Sequence, residues 1–257
     1  MAPMSPTSAA ILLLSLLSCV TTAAGIALAL LLRENTRAIA AGMGFSVGIM
    51  VLISTFELIP EASVALGIGA ALTSAAFGAA LLWAAHLVIP HTHLFPETGL
   101  TNRVLFKSAY LVALGLILHD VPEGFAMTNA YVSAPSLGVL VAVAIALHNV
   151  PEEFAMAVPA MLLRSRRLLF GVAFASALAE PLGAFLGLVA VGLAPSLNAH
   201  FMAFAAGAML FVSIHELIPM AQRYRHLWMF VGGTLTSALV YWLLARLTAM
   251  LPLAGAP

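Results

Sequence analysis

Leu-His-Asp-Val-Pro-Glu-Gly-Phe-Ala-Met, at residues 118–127, returns 29 residues later as Leu-His-Asn-Val-Pro-Glu-Glu-Phe-Ala-Met at residues 147–156. Each copy lies inside an apolar stretch long enough to be a membrane-spanning helix. Consecutive membrane helices run in opposite directions, so the two copies form a repeat of inverted topology. In membrane proteins such repeats mark where a binding site is built.

The composition places the whole chain in a membrane. Of its 257 residues, 63% are hydrophobic and 8% are charged. A soluble domain is about 25% charged and about half apolar, so a water-soluble core is excluded. Open sheets cannot satisfy their backbone hydrogen bonds in lipid, which leaves an all-α polytopic membrane protein forming a single transmembrane domain. The predicted helices lie at about residues 8–32, 38–62, 68–90, 107–131, 137–162, 168–193, 200–221 and 227–250.

Basic residues predict the orientation of these eight helices. Alternate loops carry nine of the ten Lys and Arg residues, and only Arg246 lies elsewhere. Under the positive-inside rule the basic loops are cytoplasmic, so both termini are expected on the outer or periplasmic side of the cell (inner) membrane. Residues 1–24 also resemble a secretory signal, but no basic residue precedes their apolar stretch, which favours a first membrane helix.

A second repeat extends the symmetry to the outer helices. Phe-Glu-Leu-Ile-Pro at residues 56–60 matches His-Glu-Leu-Ile-Pro at residues 215–219, again on helices that are predicted to be antiparallel. The two repeats predict a 3+2+3 arrangement of helices around an inverted pseudo-two-fold axis in the membrane plane. Net charge is zero, so no nucleic-acid partner is expected. The expected partners are the lipid bilayer and a cation.

Carboxylates are concentrated inside the predicted helices. Eight of the ten lie there, although each charge at the bilayer centre costs roughly 2.5 to 3.5 kcal/mol. Metal ions or protons must neutralise such a cluster. The eight are Glu57, Glu61, Asp120, Glu123, Glu152, Glu153, Glu180 and Glu216.

The repeated motif has the spacing of a metal site. Residues four apart share one face of a helix, so His119 is expected over Glu123 and His148 over Glu152. Imidazole and carboxylate ligands suit Zn²⁺, Fe²⁺ and Mn²⁺ and disfavour Cu⁺. Asp120 and Asn149 follow the histidines, where they could hold a second ion that shares the glutamates.

Prolines lie next to the candidate ligands and interrupt the helical hydrogen bonds there. Pro122 and Pro151 free backbone carbonyls just before the two histidines, and Glu180 stands before Pro181 on the sixth helix.

The remaining polar residues leave two interpretations open. Glu57, Glu61 and Glu216 are either relays or gates for an ion, or carboxylates that pack protonated. His215 is equally compatible with a ligand and with a packing residue.

Glu153 stands where the first copy of the motif has Gly124, and it reaches either a secondary site or the wall of a pathway. His86, His91 and His93, at the inner end of the third helix and its loop, either receive the ion or are interfacial residues.

The paired motifs resemble those of the ZIP (Zrt-, Irt-like protein) family of divalent metal transporters, of the compact prokaryotic zinc-uptake type, and the resemblance covers nearly the whole chain. It implies eight helices, uptake from outside to cytoplasm and a homodimer. It also implies a binuclear centre: His119, Glu123, His148 and Glu152 for one ion, and Asp120, Asn149 and Glu180 with the two glutamates for the other. Asp120 and Glu153 depart from the usual Asn and Gly of the family motifs.

We therefore expect a transporter of Zn²⁺, with Cd²⁺, Fe²⁺, Mn²⁺ and Co²⁺ as further candidate ions. A membrane-embedded metalloenzyme is the alternative from another class, but the chain lacks the His-Glu-x-x-His of zinc proteases and the Glu-x-x-His of di-iron bundles. A cation channel on a similar scaffold is the third hypothesis. Saturable as opposed to linear flux separates a carrier from a channel.

Overall fold

The computed structural model describes residues 5–32, 35–88, 102–162 and 165–250. Within these ranges every regular element is helical, and the elements form eight long helical segments. His91 and His93 lie outside the described residues. The segments are α1 (Pro6–Leu32), α2 (Thr36–Leu66), α3 (Ile68–Val88), α4 (Asn102–Ser133), α5 (Pro135–Leu162), α6 (Arg166–Leu193), α7 (Pro195–Arg223) and α8 (Leu227–Ala249).

Seven of these segments, among the residues described, are long and apolar enough to cross a membrane. The prediction of an all-helical, multi-pass membrane protein is thereby confirmed. The segment outside this group is α4, which begins near Arg103 and Lys107 and later carries Asp120 and Glu123. The predicted eighth span thus falls on the helix that holds the first copy of the repeated motif, and it stays a prediction.

Short connections end the helices at identifiable residues. Gly67 has a φ of 78°, a conformation that glycine adopts without strain, and it turns the chain from α2 into α3. Asn35 and Ser165 accept hydrogen bonds from the backbone N–H groups of Ala38 and Leu168, and so cap the first turns of α2 and α6. These caps and this turn determine where α2, α3 and α6 begin.

Glycines set how closely the helices pack. Four of the extensive helix pairs are α4 with α6, α2 with α8, α3 with α7, and α1 with α5. At Gly44 and Gly78 an added Cβ would collide with the backbone of the facing helix, at Phe230 and Phe204 respectively. Small residues of this kind allow membrane helices to approach closely and gain van der Waals contact. The helices α4 and α5 also pack on each other, and α4 contacts α7 while α5 contacts α2.

Two wide turns interrupt α2 and α7. Ser54–Leu58 and Ser213–Leu217 are π-helical, and the N–H groups of Ile59 and Ile218 donate to the carbonyls of Ser54 and Ser213, five residues earlier. A proline follows each turn, at Pro60 and Pro219, and lacks the N–H that would continue the regular hydrogen-bond pattern. The first three residues of each copy of the second sequence repeat lie in these turns, and π-turns occur frequently at functional sites.

Hydrogen bonds between helix ends show which ends lie together. Thr36, at the start of α2, lies 3.0 Å from His226 at the start of α8. At the opposite end, Ser133 of α4 donates to Glu61 of α2 at 2.6 Å. The end that contains Thr36, Arg166 and Arg223 is called the basic end below, and the end that contains Glu61 and Ser133 is called the far end.

Candidate metal site

Two histidines and two glutamates from α4 and α5 meet in one buried cluster. His119 Nε2 lies 2.9 Å from Glu152 Oε2, and His148 Nε2 lies 3.0 Å from Glu123 Oε1. Each histidine therefore contacts the glutamate of the other helix. Within α4, His119 Nε2 and Glu123 Oε1 are 4.0 Å apart, so the predicted stacking of residues four apart is the looser contact. All four residues are at most 4% exposed.

The two ring nitrogens of His148 have different partners. Its Nδ1 lies 3.0 Å from the carbonyl oxygen of Ala144, which can only accept a hydrogen bond. The Nδ1 therefore carries the hydrogen of this bond, and Nε2 faces the carboxylate of Glu123. The hydroxyl of Ser46 on α2 donates to the backbone carbonyl of His148 at 2.9 Å and so supports this part of α5. Such partners fix the orientation of a metal-binding imidazole.

The residues that follow the two histidines point to different neighbours. Asn149 Nδ2 donates to Glu180 Oε2 of α6 at 3.2 Å. Asp120 Oδ2 accepts a hydrogen bond from Ser176 of α6 at 2.6 Å, and its Oδ1 lies 3.5 Å from His119 Nε2. The structure thus places Asn149 against Glu180, whereas Asp120 contacts both His119 and a serine that the sequence motifs did not indicate.

Several buried oxygens of the cluster have no partner within the described part of the chain. They are Glu123 Oε2, Glu152 Oε1 and Asn149 Oδ1. A buried acceptor without a hydrogen bond costs about 1 to 3 kcal/mol, and more when it is charged. Acceptor atoms that are buried together without donors fit a bound cation, which supplies the missing positive charge.

Two groups of ligand atoms are compact enough for metal ions. In the first, His119, Asp120 and Glu152, and in the second, Glu123, His148 and Glu152, the ligand atoms lie within 4.8 Å of one another. Glu152 belongs to both groups, so a carboxylate that bridges two ions is geometrically available. The adjoining cavity of about 10 Å³ is lined by His119, Asp120 and Glu152 among others. A single water needs about 10 to 15 Å³ on this measure, so the cavity suits one ion or one water.

The carboxylates of α2 lie towards the far end. Tyr241 of α8 donates to Glu57 at 2.6 Å, and Ser133 of α4 donates to Glu61 at the same distance. Both carboxylates are half-buried, and each has a hydroxyl partner from another helix. Either a relay or a packing role remains compatible with these contacts.

A second histidine and carboxylate cluster lies towards the basic end. Glu216, in the π-turn of α7, pairs with His86 near the end of α3, and both residues are buried. The ring of His215 stacks on Phe211 with centroids 4.8 Å apart, and its centroid lies 5.8 Å from that of His86. The sequence left the role of His86 open, because the partner that brings it to Glu216 comes from a distant helix.

Sequence reasoning missed Thr22 and Ser176. Thr22 of α1 donates to Glu153 Oε1 at 2.8 Å. The hydroxyl of Ser176 on α6 lies 2.5 Å from the same oxygen and donates either to it or to Asp120, and all of these residues are buried. Serine and threonine are common in membrane helices, where they often bond to their own backbone, so residue type alone did not single them out.

Together these features define a class of protein: a multi-pass helical membrane protein with a buried imidazole and carboxylate site for a divalent metal ion. The sequence profile described as ZIP Zinc transporter matches residues 97–242. The chain is 35% identical over 250 residues to the zinc transporter ZupT of Chlorobium phaeovibrioides, with 89% of this chain and 94% of that protein covered.

Two further relatives agree. The chain is 37% identical to ZupT of Chlorobium luteolum over 84% of this chain and 89% of the relative. It is also 37% identical to ZupT of Corynebacterium aurimucosum over 81% and 86%. The chain belongs to the ZIP zinc transporter family. The family resemblance of the motifs is thereby confirmed, and the chain is a transporter of divalent metal ions and not an enzyme.

Proposed function

We propose that this protein carries Zn²⁺ from outside the cell (inner) membrane into the cytoplasm through a binuclear site on α4, α5 and α6. The observation that carries the proposal is the pair of crossed contacts, His119 with Glu152 and His148 with Glu123, surrounded by buried oxygens that lack donors. Nitrogen and oxygen ligands in a compact buried group are the ligands that Zn²⁺ takes in proteins. The ZupT relatives are named as zinc transporters.

The two ions use overlapping ligand sets. The first is held by His119, Glu123, His148 and Glu152. The second is held by Asp120, Asn149 and Glu180 together with both glutamates of the first set. Cd²⁺, Fe²⁺, Mn²⁺ and Co²⁺ accept the same ligand types and are candidate substrates as well.

All eight helical segments span the membrane in a 3+2+3 arrangement. The contacts support this symmetry, because exchanging α1 with α6, α2 with α7, α3 with α8 and α4 with α5 converts each major helix pair into another major pair. For example, α2 with α8 becomes α7 with α3. The π-turns of α2 and α7 correspond under the same exchange. At 1.5 Å per residue, the 32 residues of α4 measure about 48 Å, which exceeds the hydrocarbon core of about 30 Å.

The basic end faces the cytoplasm under the positive-inside rule. The start of α1 and the end of α8 then lie on the outer side. Glu57 and Glu61 belong to the outer approach to the metal site, and His86, His215 and Glu216 belong to the inner exit. Alternating access then opens these two sides in turn, by rocking of one helix group against another.

Uptake of radioactive zinc into proteoliposomes tests the proposal. The variant His119→Ala, Glu123→Ala removes one ligand from each crossed pair, and we expect it to lose saturable uptake. The matched control is His200→Ala, which removes a histidine of α7 that lies 2.9 Å from Ser74 and is remote from the cluster in sequence. Transport by the double variant at the wild-type rate would overturn the site, and linear flux would favour a channel.

The family resemblance also implies a homodimer. Light scattering of the detergent-solubilised protein, corrected for bound detergent, measures its mass directly. A mass of one chain at working concentration would contradict this part of the proposal.

A further inference from the structure

Two asparagines meet between α4 and α7, towards the far end. Asn198 Nδ2 of α7 donates to the backbone carbonyl of Asn129 on α4 at 3.1 Å. Asn129 Nδ2 donates in turn to the carbonyl of Phe125, one turn earlier, at 2.6 Å. Reversal of either amide would bring two oxygens together, so these bonds fix which atom of each side chain is the oxygen. Both Oδ1 atoms are therefore turned away from the carbonyls that hold their amides.

The side-chain oxygens of these two asparagines lack donors. Oδ1 of Asn129 and Oδ1 of Asn198 are buried and have no hydrogen-bond partner among the residues that the structure describes. Asn129 as a whole is 0% exposed. A buried amide oxygen that accepts no hydrogen bond is unfavourable, because it has lost its contact with water without a replacement. Two such oxygens on neighbouring helices fit a positively charged ligand.

A carboxylate lies next to this pair. Ser133, one turn after Asn129 on the same face of α4, donates to Glu61 Oε1 of α2 at 2.6 Å. The end of α2, Ile59–Leu66, also packs against α7. None of the ion pairs that the described residues form includes Glu61. Three helices thus bring a carboxylate, a hydroxyl and two amide oxygens to one junction. We name Glu61, Asn129, Ser133 and Asn198 the far-end oxygen cluster.

The far-end oxygen cluster is accessible from the surface and separate from the candidate metal site. Its hydroxyl residue is exposed and its carboxylate residue is half-buried, whereas Asn129 is fully buried. Along α4, Asn129 lies six residues beyond Glu123, which is about 9 Å along the helix axis. Phe125 lies between them and packs edge-on against Phe201 of α7, with ring centroids 5.7 Å apart. An aromatic contact between α4 and α7 therefore lies between the two sites, and they share no ligand.

We propose that the far-end oxygen cluster binds a hard divalent cation with the ligand preference of Ca²⁺. Carboxylate, amide and hydroxyl oxygens, with water to complete the shell, are the ligands of this ion. Zn²⁺ prefers sites with imidazole or thiolate, and the cluster contains neither. Because Glu61 is the single charged ligand, we expect a Kd of about 10⁻⁴ to 10⁻³ M, the range of weak extracellular Ca²⁺ sites. The bound ion joins α2, α4 and α7, since its ligands come from all three helices.

Calcium titration of the full-length, purified protein tests this proposal. The protein is first saturated with Zn²⁺, which occupies the carboxylates of the candidate metal site, and Ca²⁺ binding is then measured by isothermal titration calorimetry. We expect the wild type to bind about one Ca²⁺ per chain, and Glu61→Gln to lose it, because an amide replaces the charged ligand. The Zn²⁺ stoichiometry of Glu61→Gln, measured in parallel, should equal that of wild type and shows that the variant is folded.

The other carboxylate of α2 provides a matched control. Glu57 lies one turn before Glu61, is also half-buried, and also accepts a hydrogen bond at 2.6 Å, but its donor is Tyr241 of α8. Glu57→Gln should therefore bind Ca²⁺ as wild type does. We expect Asn129→Leu, which removes a ligand oxygen at similar side-chain volume, to weaken Ca²⁺ binding about tenfold or more, since loss of even a supporting group commonly costs that much.

Three results would overturn the proposal. Absence of Ca²⁺ binding to zinc-saturated wild type would show that water alone satisfies the amide oxygens. Equal Ca²⁺ binding by wild type and Glu61→Gln would place the ion elsewhere, and so would equal losses in Glu57→Gln and Glu61→Gln. The proposal does not depend on zinc transport. Failed zinc uptake with intact Glu61-dependent Ca²⁺ binding would count against the proposed function alone.

Discussion

The motif copies on α4 and α5 share eight of ten residues but meet different surroundings. Their common residues, the histidines and glutamates, face each other and build the cluster. Their different residues have different partners: Asn149 contacts Glu180, whereas Asp120 contacts Ser176, one turn away on the same helix α6. Gly124 packs on the backbone of α6, whereas Glu153 reaches Thr22 of α1. A repeated sequence thus makes a symmetric site, and its departures from symmetry are fitted to helices that are not alike.

Removing a shared residue should have the largest effect. Glu152 belongs to both groups of ligand atoms, so Glu152→Ala is expected to reduce zinc uptake by about 100-fold or more, beyond the loss that supporting residues alone produce. Metal content by mass spectrometry should fall together with uptake. Ser63→Ala, which removes only a hydrogen bond within α2, is the control. Uptake by Glu152→Ala at about one third of the control's rate or faster would contradict a bridging carboxylate.

Adding a methyl group at Gly124 of α4 should lower the stability of the protein. In Gly124→Ala the added methyl group meets the backbone of α6, so we expect the free energy of unfolding to fall by about 1 to 3 kcal/mol. Gly192→Ala on α6 is the control, because a Cβ there has open space. Thermal unfolding in detergent measures both variants. If Gly124→Ala is as stable as Gly192→Ala, the close approach of α4 and α6 is incorrect.

The smallest effect is expected for loss of the hydrogen bond that Ser46 of α2 donates to α5. Ser46→Ala removes the hydrogen bond to the carbonyl of His148, and such bonds between membrane helices contribute about 0.6 kcal/mol on average. We expect slightly weaker zinc affinity with an unchanged number of bound ions, measured by isothermal titration calorimetry. Loss of a bound ion in Ser46→Ala would instead show that this serine determines the position of His148 and is more than a minor support.

Much of the site could be predicted because its information is local. Histidine and glutamate four residues apart, with a proline between them, are recognisable along one helix, and the motif occurs twice. His86 could not be predicted in the same way. Its partner Glu216 is 130 residues away, and only the packing of α3 on α7 brings the two together.

The sequence by itself determined an all-helical membrane protein, the inverted repeats and the ligand types at the centre, because composition and helical periodicity are properties of consecutive residues. Only the tertiary structure decided that His119 faces Glu152 and not its own neighbour Glu123, and that Ser176 lies between Asp120 and Glu153. The physical reason is that distances between helices depend on how closely their backbones approach, and glycines such as Gly25, Gly124 and Gly183 set that approach at positions whose partners lie far away in the chain.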